Sequence, residues 1–431
     1  MLPPTALEWC EPLNYLPALT EKKLDYALLY SGLKTTYSGR YSLLALYPQT
    51  TIESEDFDSL EQELTQNLPR YANFWLGYLG YGLKNSVENL TRDAPSYIPM
   101  PSLCMRRYAT ILVFDHEAAT LTMHRMDADA PLAPAPAKSP FHQQPPAIAT
   151  LHSDMHKAQY LQYVEAIQQA IVEGSLYQAN LTRKFFGEFS TKPCAAALFT
   201  RLAELSPAPY SALLVQGDTA IVSSSPERFL QLTEEGHVEV RPIKGSAPRS
   251  ADAATDRRLC SQLAKSEKDR AENLMIVDLM RNDIARGCKI GSVKTEALFE
   301  ISSYATVHHM SSTISGQRRG DVTPLQLVAK CFPPGSMTGA PKIQAMELCS
   351  SIEPRARGVY SGAIGWFGGD GAADLSVVIR TIILQGTQFE FQVGGAIVHD
   401  STPLGEWEET LTKARGIASA MCISLDRLRN M

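Results

Sequence analysis

The run Leu375-Ser-Val-Val-Ile-Arg-Thr-Ile-Ile-Leu384, the turn Gln385-Gly-Thr-Gln388 and the run Phe389-Glu-Phe-Gln-Val393 set the fold class. β-Branched and aromatic residues crowd both runs, and so short a link containing a glycine returns the chain antiparallel. The same signals recur upstream at SALLVQ (211–216), TAIVSSS (219–225), RFLQL (228–232) and the alternating HVEVRPI (237–243). ALFEISSYATVHHMSSTI (297–314) and GVYSGAIGWF (358–367) read as further strands. Helices fall irregularly among them. One starts at a cap on Ser153 or Asp154, carries Tyr160, Val164, Ile167 and Ile171 on one face and ends at Gly174; a long charged one covers 255–285. Without regular βαβ alternation, the reading is α+β with large antiparallel sheets and not a doubly wound fold.

The 431 residues are 44% apolar and 20% charged, an ordinary globular balance with material for a large core. A formal net charge of −6 with mixed signs leaves no basic face for nucleic acid or anionic lipid, so an anionic substrate needs a local cationic pocket. Eight cysteines show no CxxC and no paired spacing, which reads as free thiols rather than a zinc site or disulfide framework. No basic-then-apolar leader opens the chain and no apolar run reaches about 18 residues, so a cytoplasmic protein without membrane attachment is expected. The one break in composition is the Pro/Ala-rich stretch 127–150, which reads as a linker or loop between an N-terminal region, 1–126, and a larger region, 151–431.

Thr402 and Pro403 open a final helix as N-cap and first residue. Leu404, Trp407, Leu411, Ala414, Ala418 and Met421 form its apolar stripe, while Glu406, Glu409 and Lys413 cluster on another face. Spacing alone favours a solvated Glu-to-Lys pair over a ligand face there. GSMTGAPK (335–342) lacks the Gly-Lys-Ser/Thr ending of a nucleotide loop, because Pro341 precedes its lysine. Its glycines suit either backbone amides facing an anion or an ordinary turn. His308 and His309 are adjacent in a strand-like run, so at most one faces a pocket.

In order, SSSPERFL (223–230), RPIKGSAPR (241–249), EKDRAENLMIVDLMRNDIARG (267–287), VHHMSSTISG (307–316), FPPGSMTGAPKIQAME (332–347), YSGAIGWF (360–367), VVIRT (377–381), GGAIVHDS (394–401) and EWEETLTKA (406–414) resemble the chorismate-utilising enzymes. That family contains the large subunits of anthranilate and aminodeoxychorismate synthases and the isochorismate and salicylate synthases. The resemblance covers 151–431 strongly and the first 125 residues more loosely. It implies a sandwich of two large antiparallel sheets with flanking helices, and 151–431 as the chorismate-binding catalytic region. It implies magnesium held by Glu272 and Glu409, with Glu406 nearby through water, anchoring one substrate carboxylate. The other carboxylate would meet Tyr360, Arg380 and the amides of Gly394 and Gly395. Lys413, Ser246 and Thr338 would complete the substrate site, with His309 beside the ring.

Two positions sort the family's branches. Water-using members carry a lysine where this chain has Gln178, and glutamine is no general base at neutral pH. Pro242-Ile243-Lys244-Gly245 looks like the PIKG of aminodeoxychorismate synthases, where anthranilate synthases look like PIAG; Ser246 replaces the usual threonine. The resemblance therefore implies Lys244 as a nucleophile on chorismate, Glu227 as the acid and 4-amino-4-deoxychorismate as the product, with anthranilate synthase component I or a catalytically silent regulatory subunit as the alternatives. No Gly-x-Cys-x-Gly elbow occurs, so ammonia is expected from a separate glutamine amidotransferase subunit. Ser31, Tyr37, Ser38, Arg40 and Tyr41, with Pro209, Tyr210 and Ser211, resemble the family's tryptophan pocket, although Ser206 stands where asparagine is usual; plain packing between sheets explains the same residues equally well.

Overall fold

Every strand pairing among the described residues of this computed structural model, 2–35, 37–64, 67–90, 93–304 and 307–431, is antiparallel. Two ladders emerge. The first runs from Ile148–Ser153 through Gln178–Phe189, Gln388–Ile397, Thr381–Gln385, Thr219–Ser225, Tyr210–Gln216 and Tyr26–Tyr30 to Tyr41–Ser54. The second runs from Trp75–Leu79 through Ala363–Phe367, Ala373–Val377, Arg228–Leu232 and His237–Val240 to Val307–Gln317, which also pairs with Ile243–Pro248 and Lys294–Ser303. The long strand Leu103–Asp115 bonds to both.

The core divides into layers. Ala27, Ala45, Leu76 and Ile111, and beside them Tyr78, Ala212, Ile221 and Ile364, are buried between the ladders. Helices Lys157–Val172, Ala195–Leu205 and Pro403–Ala420 cover the outer face of the first ladder, and Glu267–Ala285 with Pro324–Cys331 cover that of the second. Val164 and Ile167 are fully buried, each contributing about 1.5–3 kcal/mol. Residues 127–147 run along this body, with Thr110 Oγ1 donating to Pro131 O and Ala137 N to Asn14 O.

Local boundaries depart from the sequence reading for identifiable reasons. The cap of Lys157–Val172 is His156, whose ring accepts from Gln159 N; Ser153 is in a strand and Asp154 accepts from Lys184 N. The charged stretch 255–285 divides into Ala253–Lys265 and Glu267–Ala285, because the Ser266 side chain caps the second by accepting from Asp269 N. Pro242 has no N–H to give a ladder, and HVEVRPI breaks there. The run 297–314 divides into Lys294–Ser303 and Val307–Gln317, and its residues 305 and 306 lie outside the described residues. Leu404, expected on the apolar stripe of the last helix, is 53% exposed, while Trp407, Leu411, Ala414, Ala418 and Met421 are buried.

The most consequential break is in the opening stretch. Ala373–Val377 belongs to the second ladder and Thr381–Gln385 to the first, and between them Arg380 takes φ 51°. Pro226-Glu227 makes the matching passage from Thr219–Ser225 to Arg228–Leu232. The two crossovers bond to each other, Val377 N to Glu227 O at 3.0 Å and Ser224 N to Arg380 O at 3.1 Å. Glu227 and Arg380 are thereby fixed side by side where the sheets exchange strands.

Candidate active site

Lys244 enters the same region through a β-bulge. Register shifts between Ile243 and Ser246, and Gly245 takes φ 90°, a conformation that glycine adopts without strain. Its amine feels the charges of Lys413, Glu227, Glu272 and Glu409; burial and the Lys413 charge lower its pKa, against the pull of the three carboxylates. Glu227 is 6% exposed, and burial raises its pKa, offset by Ser336, Lys244, the Ile243 amide and Lys413; its Oε1 has no hydrogen-bond partner. Both shifts favour the uncharged forms, an amine with a free lone pair beside a carboxylic acid.

His309 faces this site and His308 does not, as strand alternation requires. His308 bonds Ser303 and Asp256 on the far side. His309 Nδ1 lies 2.7 Å from Ser246 Oγ, and burial with the nearby Arg380 charge lowers its pKa to about 4. Burial also lowers the pKa of Arg380, and no carboxylate acts on it. That leaves a guanidinium available to an anion. Tyr360 is buried, and Ser361, at φ 66°, donates its N–H to Val378 O at 2.9 Å, two residues before Arg380.

The opposite wall is helical. Lys413 donates to Gly394 O at 2.9 Å and pairs with Glu409 at 2.7 Å, and the two side chains keep 44% and 46% of their surface. Lys413 holds the pKa of Glu409 down despite burial. Glu406 accepts from Ser401 Oγ at 2.6 Å, its Oε2 is buried without a partner, and burial followed by the Glu409 charge raises its pKa. Glu272 comes from helix Glu267–Ala285, its pKa raised by burial, Asp269 and Glu409. A side chain on Gly395 would stand 2.8 Å from Glu406 Oε2 and 3.6 Å from Glu409 Oε1, so glycine keeps that gap open.

Among the described residues no three His, Cys, Asp or Glu side chains form a finished metal cage. The carboxylates of Glu272 and Glu406 nevertheless each feel the charge of Glu409, one oxygen of Glu406 lacks a partner, and Gly395 leaves room. This donor set suits a hard cation that keeps several waters and takes few protein ligands. Thr338, expected to touch substrate, spends its hydroxyl on Gly335 O at 3.2 Å; Ser336, two residues earlier, is buried with its hydroxyl towards Glu227. The glycine-flanked loop pointed to both residues, and only the fold separates them. Gln178 is fully buried with both amide atoms unpartnered.

The family described as chorismate binding enzyme matches residues 23–419. The chain belongs to that family. Among its relatives, aminodeoxychorismate synthase of Streptomyces griseus is 39% identical over 402 residues, covering 88% of this chain and 55% of that protein. Aminodeoxychorismate synthase component 1 of Salmonella typhimurium is 39% identical over 348 residues, covering 79% and 75%. The chain thus spans about half the length of the Streptomyces griseus relative and three quarters of the Salmonella one. The solved anthranilate synthase component I of Streptococcus pneumoniae aligns with TM-score 0.77 at 26% identity, covering 89% of this chain and 92% of that one. The menaquinone-specific isochorismate synthase of Escherichia coli shares the fold at TM-score 0.77 and 16% identity.

A second cavity of about 500 Å³ lies away from these groups. Ser31, Tyr37, Ser38, Arg40, Tyr41, Pro209, Tyr210 and Ser211 all line it, with Trp366 and Asp374. A smaller cavity of about 140 Å³ adjoins it and reaches His309 and Arg380. Tyr37, Ser38, Pro209 and Tyr210 line both.

Proposed function

We propose that the chain is an aminodeoxychorismate synthase large subunit, converting chorismate and ammonia to 4-amino-4-deoxychorismate on the route to 4-aminobenzoate and folate. The observation that carries this reading is Lys244, set at a bulge within electrostatic reach of Glu227 with its pKa lowered. Arg380 and Tyr360 receive one substrate carboxylate, with the Gly394 and Gly395 amides. Glu272 and Glu409, with Glu406 nearby through water, would hold magnesium, which when bound would neutralise the other carboxylate. Neutral Lys244 attacks C2, both ring double bonds shift (C1=C2 to C1=C6 and C5=C6 to C4=C5), and the C4–O bond breaks as Glu227 protonates the departing hydroxyl to water. Glu227, now a carboxylate, takes a proton from the new secondary ammonium. Ammonia then attacks C4, both double bonds shift back, Lys244 leaves C2 with the proton returned by Glu227, and the new C4 ammonium reprotonates Glu227. The enolpyruvyl group stays intact.

Ammonia comes, in this reading, from a glutamine amidotransferase partner, in keeping with the relatives named component 1. All eight cysteines are free, which suits a reducing cytoplasm, and no helix among the described residues is long and apolar enough to cross a membrane. The second cavity, in the same reading, takes tryptophan. Incubation with chorismate, magnesium and ammonium, followed by product mass and fluorescence, tests the assignment: fluorescent anthranilate would overturn it in favour of anthranilate synthase component I. Mass spectrometry without ammonia tests the covalent step through an adduct on the Lys244 peptide.

A further inference from the structure

Glu353 and Arg357 form a buried ion pair that takes no part in the chemistry above, with side chains 6% and 1% exposed. Arg357 donates to both Glu353 oxygens, Nε to Oε2 at 2.9 Å and Nη2 to Oε1 at 2.8 Å. It also donates to Met337 O at 2.7 Å, Asn180 O at 2.7 Å and, more weakly, Ser361 Oγ at 3.4 Å. Glu353 Oε1 accepts in addition from Thr182 N at 3.0 Å and Thr182 Oγ1 at 2.8 Å.

Each partner adjoins a residue of the cleft. Met337 sits between Ser336 and Thr338, Ser361 follows Tyr360, and Thr182 faces Gly394 across the ladder. Three segments distant in sequence therefore meet on one pair of charges. A half-exposed pair would hold them loosely, because water replaces any lost contact. In the interior, displacing one segment leaves a charged group short of a partner in a low dielectric, so the arrangement is stiff. The planar guanidinium matters here: it serves the carboxylate on one edge and two carbonyls on the others, which an ammonium cannot do.

We infer that Glu353 and Arg357 are positioning residues that hold the strand-borne wall of the cleft in register and set its affinity for chorismate, leaving the rate of the chemistry unchanged. The inference rests on reading the cleft as the chorismate site, and not on which nucleophile attacks there.

The test is Glu353→Gln, which keeps the shape and drops the charge. Chorismate binding is measured by calorimetry with magnesium and no ammonia, alongside steady-state kinetics and circular dichroism. Losing a charge-assisted contact raises Kd and KM about tenfold or more, with kcat within about threefold of wild type. Arg357→Lys does not restore affinity. Thr182→Val removes the hydroxyl that donates to Glu353 Oε1 and accepts from Gln392 Nε2 at 2.6 Å, and serves if Glu353→Gln does not fold; its Kd rises at least about threefold. An unchanged Kd in either folded variant, or a fall in kcat at unchanged Kd, overturns the inference. A wild-type product other than aminodeoxychorismate sinks the proposed function alone, since the Kd comparison still judges the pair.

Discussion

The two walls of the proposed cleft are built by opposite means. The strand-borne wall is finished before any ligand arrives: Tyr360 is buried, and Glu353 and Arg357 brace its backbone. The helix-borne wall is left unfinished. Glu409 and Lys413 are nearly half exposed, Glu406 keeps an orphan oxygen, and Glu272 and Glu406 both feel the charge of Glu409. Crowded carboxylates destabilise a fold unless a cation joins them. One wall is therefore organised for shape, and the other stores charge repulsion that a bound cation would relieve.

The largest expected effect lies where the walls meet. Lys244→Ala removes the only group proposed to attack C2, so aminodeoxychorismate formation falls by at least the 10²–10⁴-fold typical of a lost catalytic group, roughly. Direct attack of ammonia at C2 survives in that variant and yields an anthranilate-like product. Glu227→Gln stalls departure of the C4 hydroxyl for every nucleophile. In wild type, kcat/KM falls in acid as Lys244 takes a proton and in alkali as Glu227 loses one; Glu227→Gln should leave no alkaline limb. Product analysis and pH profiles of both variants check this, and full activity in Lys244→Ala would falsify the covalent route.

Breaking the helix-borne wall comes next. Glu272→Ala and Glu409→Ala should each abolish turnover while circular dichroism stays unchanged, because each removes one of few charged groups facing the gap. The Glu272 carboxyl has a raised pKa, so Glu272→Ala should equal or exceed wild type in thermal stability without magnesium, whereas Glu409→Ala also strips Lys413 of its partner and should not. Near-normal activity of both at low magnesium would mean the metal is held elsewhere. The contrast with Glu353→Gln is the sharper half of the comparison: one wall should lose magnesium activation, the other chorismate affinity.

His309 provides a measurable stability effect. Its folded pKa is about 4, against an ordinary value of 6.5, because burial and Arg380 oppose its charge. The unfolded chain binds the proton first as pH falls. Stability associated with neutral His309 is therefore complete above pH 6.5, is lost progressively below it, and is gone below pH 4, a total of about 3 kcal/mol. Denaturant melts of wild type and His309→Gln across this window should converge on acidification, and parallel curves would show that the ring titrates normally.

Much of this site could be read from local sequence and some of it could not. Thr402 and Pro403 announced the last helix because capping is local chemistry, and TAIVSSS and RFLQL were legible because strand composition is local too. Arg380 was legible as a charged residue in an apolar run, but its left-handed turn was not, since only the crossing of two ladders requires it. The bulge at Lys244 was hidden for the same reason. Glu353 and Arg357 look in sequence like a solvated i,i+4 pair, the reading first given to Glu409 and Lys413. Burial separates the two cases, and burial is a property of the assembled layers.

The smallest predicted effect concerns the second cavity. Tyr37 lines it, donates to Glu300 at 3.0 Å and stacks 3.2 Å from the Arg241 guanidinium, three residues before Lys244. A ligand in that cavity is thus within one side chain of the strand that aims the nucleophile. The bulge, however, is held by its own pairing to Val307–Gln317, and Ser246 is fixed by His309. Filling the cavity should stiffen the protein more than it moves Lys244. Tryptophan at a hundredfold excess over its Kd should add about 2.7 kcal/mol of stability, seen as a rise in melting temperature, while activity changes by less than about twofold. Tyr37→Ala should weaken that rise. Strong inhibition by tryptophan would mean that the Tyr37 and Arg241 contact transmits occupancy to Lys244, and would turn the functional assignment back towards anthranilate synthase.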